Sequence, residues 1–403
     1  MRDYAVITVS RKGEPFLRKG QNRMYANNQA ALSENAQNGM PADIVTEDGD
    51  YIGTGYLSLN SHVRVRILTR EQGAVLDKEF YKKRFRQALT YRKDVCGTQI
   101  SNCRLVFSDA DRLGGLVIDR YANLLVSQIS SYGMECNKDM IYEALLEVMQ
   151  EAGETVEGIY ERNDTPSRTK EGLPLYKGFW KDSTLSPQTI IEENGIRMHI
   201  DVENGQKTGY FLDQKSNRLL VRSLAKGKKV LDCFSHTGGF ALNAAYGGAA
   251  HVTAVDLSNT ALQQASANAQ LNGLESRISF VQADVFAYLD TLSKGDYDLI
   301  ILDPPAFTKS RRTHDHAYQG YKRINRKAME LCQDGAYLAT CSCSRFMESQ
   351  DFEEMLKESA EEAGVLLKQL SCTQQNADHP ILWNSEDTSY LKFYLFAVLE
   401  RGK

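Results

Sequence analysis

Beyond residue 188 the chain alternates short apolar runs with amphipathic segments of helix length, and no other feature constrains its fold as tightly. The apolar runs fall at 229–233, 252–256, 278–282, 299–303, 336–341, 365–370 and 390–399. Helical periodicity occupies 240–246, 259–272, 285–292, 321–332 and 349–363. Apolar strands alternating with helices imply a parallel sheet covered on both faces. A ligand of such a sheet sits outside the carboxyl ends of its strands. A hairpin around Asn194-Gly195, spanning 190–202, leads into this region.

The first 187 residues read differently. Short alternating runs at 4–10, 42–47, 51–57 and 62–68 suggest a small all-β unit, with an Asn-rich loop or helix at 27–39. A basic helix at 78–90, strands at 104–108, 116–120 and 124–130 and a helix at 138–151 suggest an α+β unit. Pro166, Gly172, Pro174 and Pro187 close it with a loop-rich stretch. The expected domains are 1–72, 73–187 and 188–403, in line with 403 residues.

Eight cysteines without CxxC spacing exclude a disulfide scaffold and argue against a structural zinc site, so no metal is expected. The N-terminus reads as a strand, and the apolar stretch ending at Leu399 is interrupted by Lys392 and too short for a bilayer. The expectation is a soluble cytoplasmic protein with no membrane partner.

A net charge of −4 conceals segregation. Residues 64–104 carry 11 Lys or Arg against 4 Asp or Glu, and 305–327 carry 7 against one. An acidic run at 348–362 offsets much of this. Solvated helix faces explain such patterns as readily as a polyanion partner does, so position must decide.

Position is informative at the carboxyl ends of the expected strands. The first runs into Asp232-Cys233-Phe234-Ser235-His236-Thr237-Gly238-Gly239, whose glycines permit a tight turn and close approach of a ligand to backbone. The turn is not GxGxxG, so a dinucleotide cradle is poorly supported. The second strand ends at Asp256, 24 residues after Asp232 and placed to accept from ribose hydroxyls. The third leads to Asp284 and the fourth ends in Asp303-Pro304-Pro305-Ala306-Phe307. An aspartate at a strand end can simply cap the next helix. Four in succession resemble the class I S-adenosylmethionine-dependent methyltransferases. The resemblance implies a Rossmann-like domain in which Phe234, Ser235, Thr237, Gly238 and Gly239 cradle the methionine part of the cofactor. It places Asp256 at the ribose and Asp284 at the adenine.

The fifth strand ends in Thr340-Cys341-Ser342-Cys343-Ser344. A cysteine facing a methyl donor suggests nucleophilic catalysis. Cytosine C5 is a poor nucleophile until a thiolate adds to C6 and breaks the aromaticity of the ring. A nearby acid, Asp303, would bind the N3/N4 edge. Ser-Cys-Ser resembles the catalytic-cysteine motif of RNA 5-methylcytosine methyltransferases, which selects Cys343 and leaves Cys341 to packing. Many of those enzymes carry a second cysteine after Asp-Pro. Pro305 stands there instead, which leaves the base for the C5 proton unassigned.

Further segments extend the resemblance: 205–215 with Asp213 and Gln214, 114–121, and Ala377-Asp378-His379-Pro380. Together they are similar to the bacterial 23S ribosomal RNA cytosine-C5 methyltransferases, although Glu14-Pro15-Phe16 departs from the His-Pro-Trp usual in that family. The family architecture implies an N-terminal β-rich PUA-like RNA-binding domain, a central domain and a C-terminal methyltransferase domain. It implies large-subunit ribosomal RNA as partner, S-adenosylmethionine as cofactor, and Asp213 and Gln214 beside the cofactor pocket. Asp213 reads equally as a helix cap, and His379 as a turn histidine. Lys309, Arg311, Arg312, Tyr321, Lys322 and Arg323 follow the Asp-Pro-Pro turn, where cations and aromatics suit phosphate anchoring and base stacking. A guanine methyltransferase, a catalytically silent RNA-binding assembly factor and a small-molecule methyltransferase remain as rivals. Oligomeric state, a homodimer included, is open.

Overall fold

The computed structural model describes residues 2–181, 184–308, 311–385 and 388–402. The chain forms two compact units: Met1–Ile191 with Ile200–Leu212 and Ala377–Thr388, and Glu192–His199 with Asp213–Asn376 and Ser389–Lys403.

Two sheets make up the first unit. One has six strands, in the order Arg23–Tyr25, Val63–Thr69, Tyr51–Leu57, Pro41–Val45, Ala5–Val9 and Gln29–Leu32. Its alternating strands bury Ile7, Val9, Ile44 and Val65. The strand Gln29–Leu32 falls where a loop or helix was expected, because its order comes from pairing with Ala5–Val9 and not from local periodicity. The other sheet has five strands, in the order Tyr176–Phe179, Gly158–Asn163, Leu124–Ile129, Leu116–Tyr121 and Asn102–Phe107. Helices Lys78–Cys96 and Lys138–Glu151 accompany it. The first is capped by Asp77, whose carboxylate accepts from Phe80 N at 2.9 Å. Tyr81, buried on that helix, donates to Tyr56 Oη at 2.8 Å and ties the helix to the six-stranded sheet.

The second unit begins its core with helix α1 (Lys215–Leu224). Strand and helix then alternate: β1 (Lys229–Cys233), α2 (Gly239–Tyr246), β2 (His251–Asp256), α3 (Asn259–Leu271), β3 (Ile278–Gln282), α4 (Val285–Asp290), β4 (Leu299–Leu302), α5 (His314–Leu331), β5 (Ala336–Ser342), α6 (Ser349–Ala363), β6 (Val365–Thr373) and β7 (Lys392–Glu400). The sheet order is 3-2-1-4-5-7-6. β1 is flanked by β2 and β4, the crossover point at which open α/β sheets bind ligands. The all-parallel expectation fails at one strand: β7 is antiparallel to both neighbours, pairing Ser342 with Lys392 and Ala336 with Val398. Helix α5 begins seven residues before the expected start at 321. Gly320 lies inside it. Within the helix it leaves room for Phe307, whose ring lies 3.2 Å from where a Cβ would stand. Among the described residues no helix is long and apolar enough to cross a membrane, and no cluster of side chains suits a metal.

Candidate active site

Strands β1, β2 and β4 end side by side and deliver three carboxylates to one edge of the sheet. Asp232, the penultimate residue of β1, is 1% exposed. Its Oδ2 accepts from Ser235 Oγ at 2.7 Å and from Ala241 N at 2.9 Å, whereas its Oδ1 is buried without a partner. Burial, followed by the charges of Asp303 and Asp256, pushes its pKa up to about 7. A buried acceptor with spare capacity at the end of the central strand suits a cationic or hydrogen-bonding ligand group.

The loop after Asp232 turns tightly, with Phe234, His236 and Gly238 all in the left-handed region at φ 62°, 50° and 85°. Ser235 N donates to Val255 O at 3.1 Å, and Asn268 Nδ2 to Thr237 O at 3.2 Å, so β2 and α3 hold the loop from both sides. A Cβ at Gly238 would lie 3.1 Å from Ala265 Cβ, which closes this position to larger residues. Gly239 starts α2. Asp256 accepts from His236 N at 2.9 Å through Oδ2 and from Ser258 N at 2.8 Å through Oδ1. Each oxygen retains a lone pair for hydroxyl donors. Asp284 is the N-cap of α4 and accepts from Ala287 N at 3.0 Å. The capping reading therefore holds for it, while its exposed side chain still lies just past the β3 end.

On the other side of β1 the partners are side chains from distant parts of the sequence. Asp303 Oδ1 accepts from Gln214 Nε2 at 3.2 Å and from Cys341 Sγ at 2.9 Å. Gln214 is fixed in turn by Asn217 Nδ2, which donates to its Oε1 at 2.6 Å. Asp213 does not cap α1; its Oδ2 accepts from Tyr390 Oη at 2.6 Å, deep in the fold.

The two cysteines at the β5 end differ sharply. Cys341 is buried, and its thiol is committed to Asp303 and to Leu302 O at 3.4 Å. Burial and the Asp303 charge hold it well above the usual thiol range. Cys343 is partly exposed, with Sγ 4.0 Å from Pro304 O of the Asp-Pro-Pro turn. Its flanking serines face inward: Ser342 Oγ donates to Tyr321 Oη at 3.1 Å and Ser344 Oγ to Thr308 O at 3.0 Å. Pinning both neighbours fixes the direction in which Cys343 points.

One residue of this network escaped the sequence reading. Lys392, seen there only as an interruption of an apolar stretch, is buried and donates to Ser344 O at 2.6 Å, Met347 O at 2.5 Å and Tyr390 O at 3.0 Å. It clamps the backbone that follows Cys343. Burial pushes its pKa down to about 8 against the opposing charges of Cys343, Cys341, Asp351 and Glu348. A lone lysine inside an otherwise apolar strand was the available signal.

The basic residues after the turn divide. Lys309 lies outside the described residues, and Arg311 opens the short 3-10 turn Arg311–Thr313. Arg312 is exposed in that turn, and Arg323 stacks over the Phe286 ring at 5.0 Å. Tyr321, expected at an RNA surface, is instead fully buried against Phe307, with ring centroids 4.6 Å apart. Lys322 is ion-paired with Glu358 at 2.7 Å and Glu362 at 2.9 Å, so the acidic run on α6 neutralises the basic face of α5. In the first unit, His379 is buried beside Asp378, Nδ1 to Oδ1 2.8 Å, as a structural histidine.

Three comparisons bear on this arrangement. A profile described as S-adenosylmethionine-dependent methyltransferase matches residues 180–396, and a PUA-like domain profile matches 7–70. The chain is 39% identical to an Aeromonas salmonicida protein and 40% identical to an Aeromonas hydrophila protein, covering 92% of both chains in each case. It is 34% identical to an Aliivibrio fischeri protein over 98% of this chain and 99% of that one. All three relatives carry the name ribosomal RNA large subunit methyltransferase I. A solved Streptococcus mutans structure assigned to the SAM-dependent methyltransferases shares the fold, with TM-score 0.81, 23% identity, and coverage of 97% of this chain and 99% of that one. A second, described as a methyltransferase complexed with SAH, gives TM-score 0.82 at the same identity and coverage.

Proposed function

The chain belongs to the S-adenosylmethionine-dependent methyltransferase family, and from that premise we propose that it methylates C5 of a cytosine in large-subunit ribosomal RNA through a covalent Cys343–C6 adduct. The observation that carries this reading is the contrast at the β5 end. Cys341 is tied to Asp303, while Cys343 is held toward the accessible side of the same carboxyl edge.

Asp232, the loop Phe234, Ser235, Thr237, Gly238 and Gly239, and the carboxylates of Asp256 and Asp284 would hold the cofactor. The unpartnered Asp232 Oδ1 and the left-handed turn fit that group. Gln214 supports the same pocket by fixing Asp303, and Asp213 anchors the turn that carries Gln214. Bound there, S-adenosylmethionine supplies an electrophilic sulfonium methyl group.

The chain's own residues do the rest. Ionised Cys343 adds through Sγ to C6 of the cytosine, forming an S–C6 bond and making C5 enamine-like. Asp303, its rotamer fixed by Gln214 and Cys341, hydrogen-bonds the N3/N4 edge and stabilises the adduct. C5 would then take the methyl group with S-adenosylhomocysteine as the leaving group, and loss of the C5 proton to solvent would return the electron pair that breaks S–C6 and frees the thiolate. The target base must leave its stack to reach Cys343. On this reading residues 1–72 form an RNA-binding PUA-like domain, 73–187 a central α+β domain and 188–403 the methyltransferase domain, acting in the cytoplasm. Arg312 and Arg323 remain as RNA contacts beside the turn, and Lys309 and Arg311 are assigned to the same role from sequence alone.

The test is methyl transfer from labelled S-adenosylmethionine to deproteinised ribosomal RNA from cells lacking the gene, followed by nucleoside analysis. Label in 5-methylcytidine of the large-subunit RNA is expected. Label in a methylated guanosine, or none, overturns the proposal.

A further inference from the structure

The basic segment 64–104 has no part in the site described above, yet the fold sorts its cations. Seven of its eleven Lys and Arg are ion-paired with carboxylates of the first unit. Among the described residues Arg64, Arg70, Lys83 and Arg84 have no carboxylate partner. Three of these four line one cavity of about 460 Å³. Arg112, held in a left-handed conformation at φ 57°, adds a fourth cation from another loop. Glu71 is the one carboxylate among the described lining residues.

Two of these cations, Arg70 and Arg84, donate to neutral groups that do not cancel their charge. Arg70 donates to Ile52 O at 3.3 Å and Gln21 O at 2.9 Å. Arg84 donates to Leu68 O at 2.8 Å and lies over the Phe80 ring at 5.1 Å, and its buried Nε has no partner. Burial and the Arg112 charge push the Arg70 and Arg84 guanidiniums down from their usual range. Four like charges gathered in a cavity against the single carboxylate of Glu71 leave an excess of positive charge that an anion would offset.

An aromatic residue lies next to the cavity in the chain. Leu382 and Asn384 line it, and Trp383 between them is 97% exposed. Asn384 Nδ2 donates to Gly20 O at 3.1 Å, which ties this loop to the turn before the strand Arg23–Tyr25. A side chain at Gly20, at φ 98°, would be strained and would displace the Asn384 amide. An exposed tryptophan next to a cationic cleft suits single-stranded nucleic acid, with phosphates on the cations and a base on the indole.

We propose that Arg70, Lys83, Arg84 and Arg112 form a phosphate cleft for the ribosomal RNA substrate, with Trp383 as its base-stacking platform. This rests on the RNA-methyltransferase reading. The test uses full-length protein and deproteinised large-subunit RNA from a strain lacking the gene, comparing wild type with Lys83→Glu/Arg112→Glu, Trp383→Ala and Trp383→Phe. The charged positions chosen are exposed, so folding is preserved, and S-adenosylmethionine affinity serves as the control. The double charge reversal is expected to raise KM roughly tenfold or more and to lower the salt slope of binding by about 2. Trp383→Ala is expected to weaken binding roughly tenfold, with recovery in Trp383→Phe. Unchanged KM and salt slope, while wild type still methylates the RNA, would overturn the cleft and leave the activity intact. Binding of inorganic phosphate alone, with RNA affinity equal in all variants, would mark a free-anion site and also overturn it. If wild type transfers no methyl group to ribosomal RNA, the activity reading fails first.

Discussion

On the β1–β3 side of the second unit's sheet, carboxylates are held by groups no more than 20 residues from them along the chain. Asp232 takes Ser235 and Ala241, Asp256 takes Ser258 and His236, and Asp284 takes Ala287. On the β4–β5–β7 side the partners come from far along the chain. Gln214 and Cys341 meet Asp303, and Lys392 fixes the backbone after Cys343. The first side is a set of local turns, each defined by its own sequence. The second is a tertiary network in which displacing one member moves the others. If the first side holds the cofactor and the second performs the chemistry, substitutions should separate into losses of binding and losses of turnover.

The largest effect should fall on Cys343. Cys343→Ala is predicted to reduce methyl transfer roughly 10³-fold or more with unchanged cofactor affinity. Asp303→Asn comes next: about a 10²-fold loss in kcat is expected, measured under single-turnover conditions. Retained activity in either variant would dissolve the division between the two sides.

Asp232→Asn tests the local side. Cofactor binding is expected to weaken roughly tenfold with a smaller change in kcat, as read by calorimetric titration. Stability should move the opposite way. A carboxyl whose folded pKa is raised to about 7 stabilises the fold fully below its ordinary value of 3.8 and loses that contribution as pH rises through 7. The variant should therefore lose the decline in second-unit stability across that window, measured by denaturant unfolding at a series of pH values.

Lys392→Met should cost turnover several-fold by freeing the Ser344 and Met347 carbonyls. It also has a distinct pH signature. A lysine with pKa lowered from 10.5 to about 8 favours the fold above 10.5, and that contribution is lost as pH falls through 8. Wild-type stability should gain from this group on the alkaline side, and the variant should not. The smallest effect belongs to Cys341→Ala, predicted to stay within about threefold of wild-type kcat because Gln214 still holds Asp303.

The same division explains what was legible in the sequence. The strand–helix alternation, the glycine turn and the four aspartates at strand ends were readable because each is encoded locally. The Asp303–Gln214 contact was not, since 89 residues separate the pair. Lys392 and the reversed β7 became visible only through pairing with β5. The charge pattern misled where neutralisation was tertiary: Lys322 belongs to Glu358 and Glu362, and the burial of Tyr321 follows from the inward face of α5.

The central claim, that Cys343 bonds covalently to the target base, can be tested directly with RNA containing 5-fluorocytidine. Fluorine at C5 blocks the proton loss that would expel the thiolate, so the adduct persists. Incubation with S-adenosylmethionine should yield a denaturation-resistant protein–RNA species in wild type and in Cys341→Ala but not in Cys343→Ser, with peptide mapping placing the cross-link at Cys343. No such species in wild type, or an undiminished one in Cys343→Ser, would contradict the account.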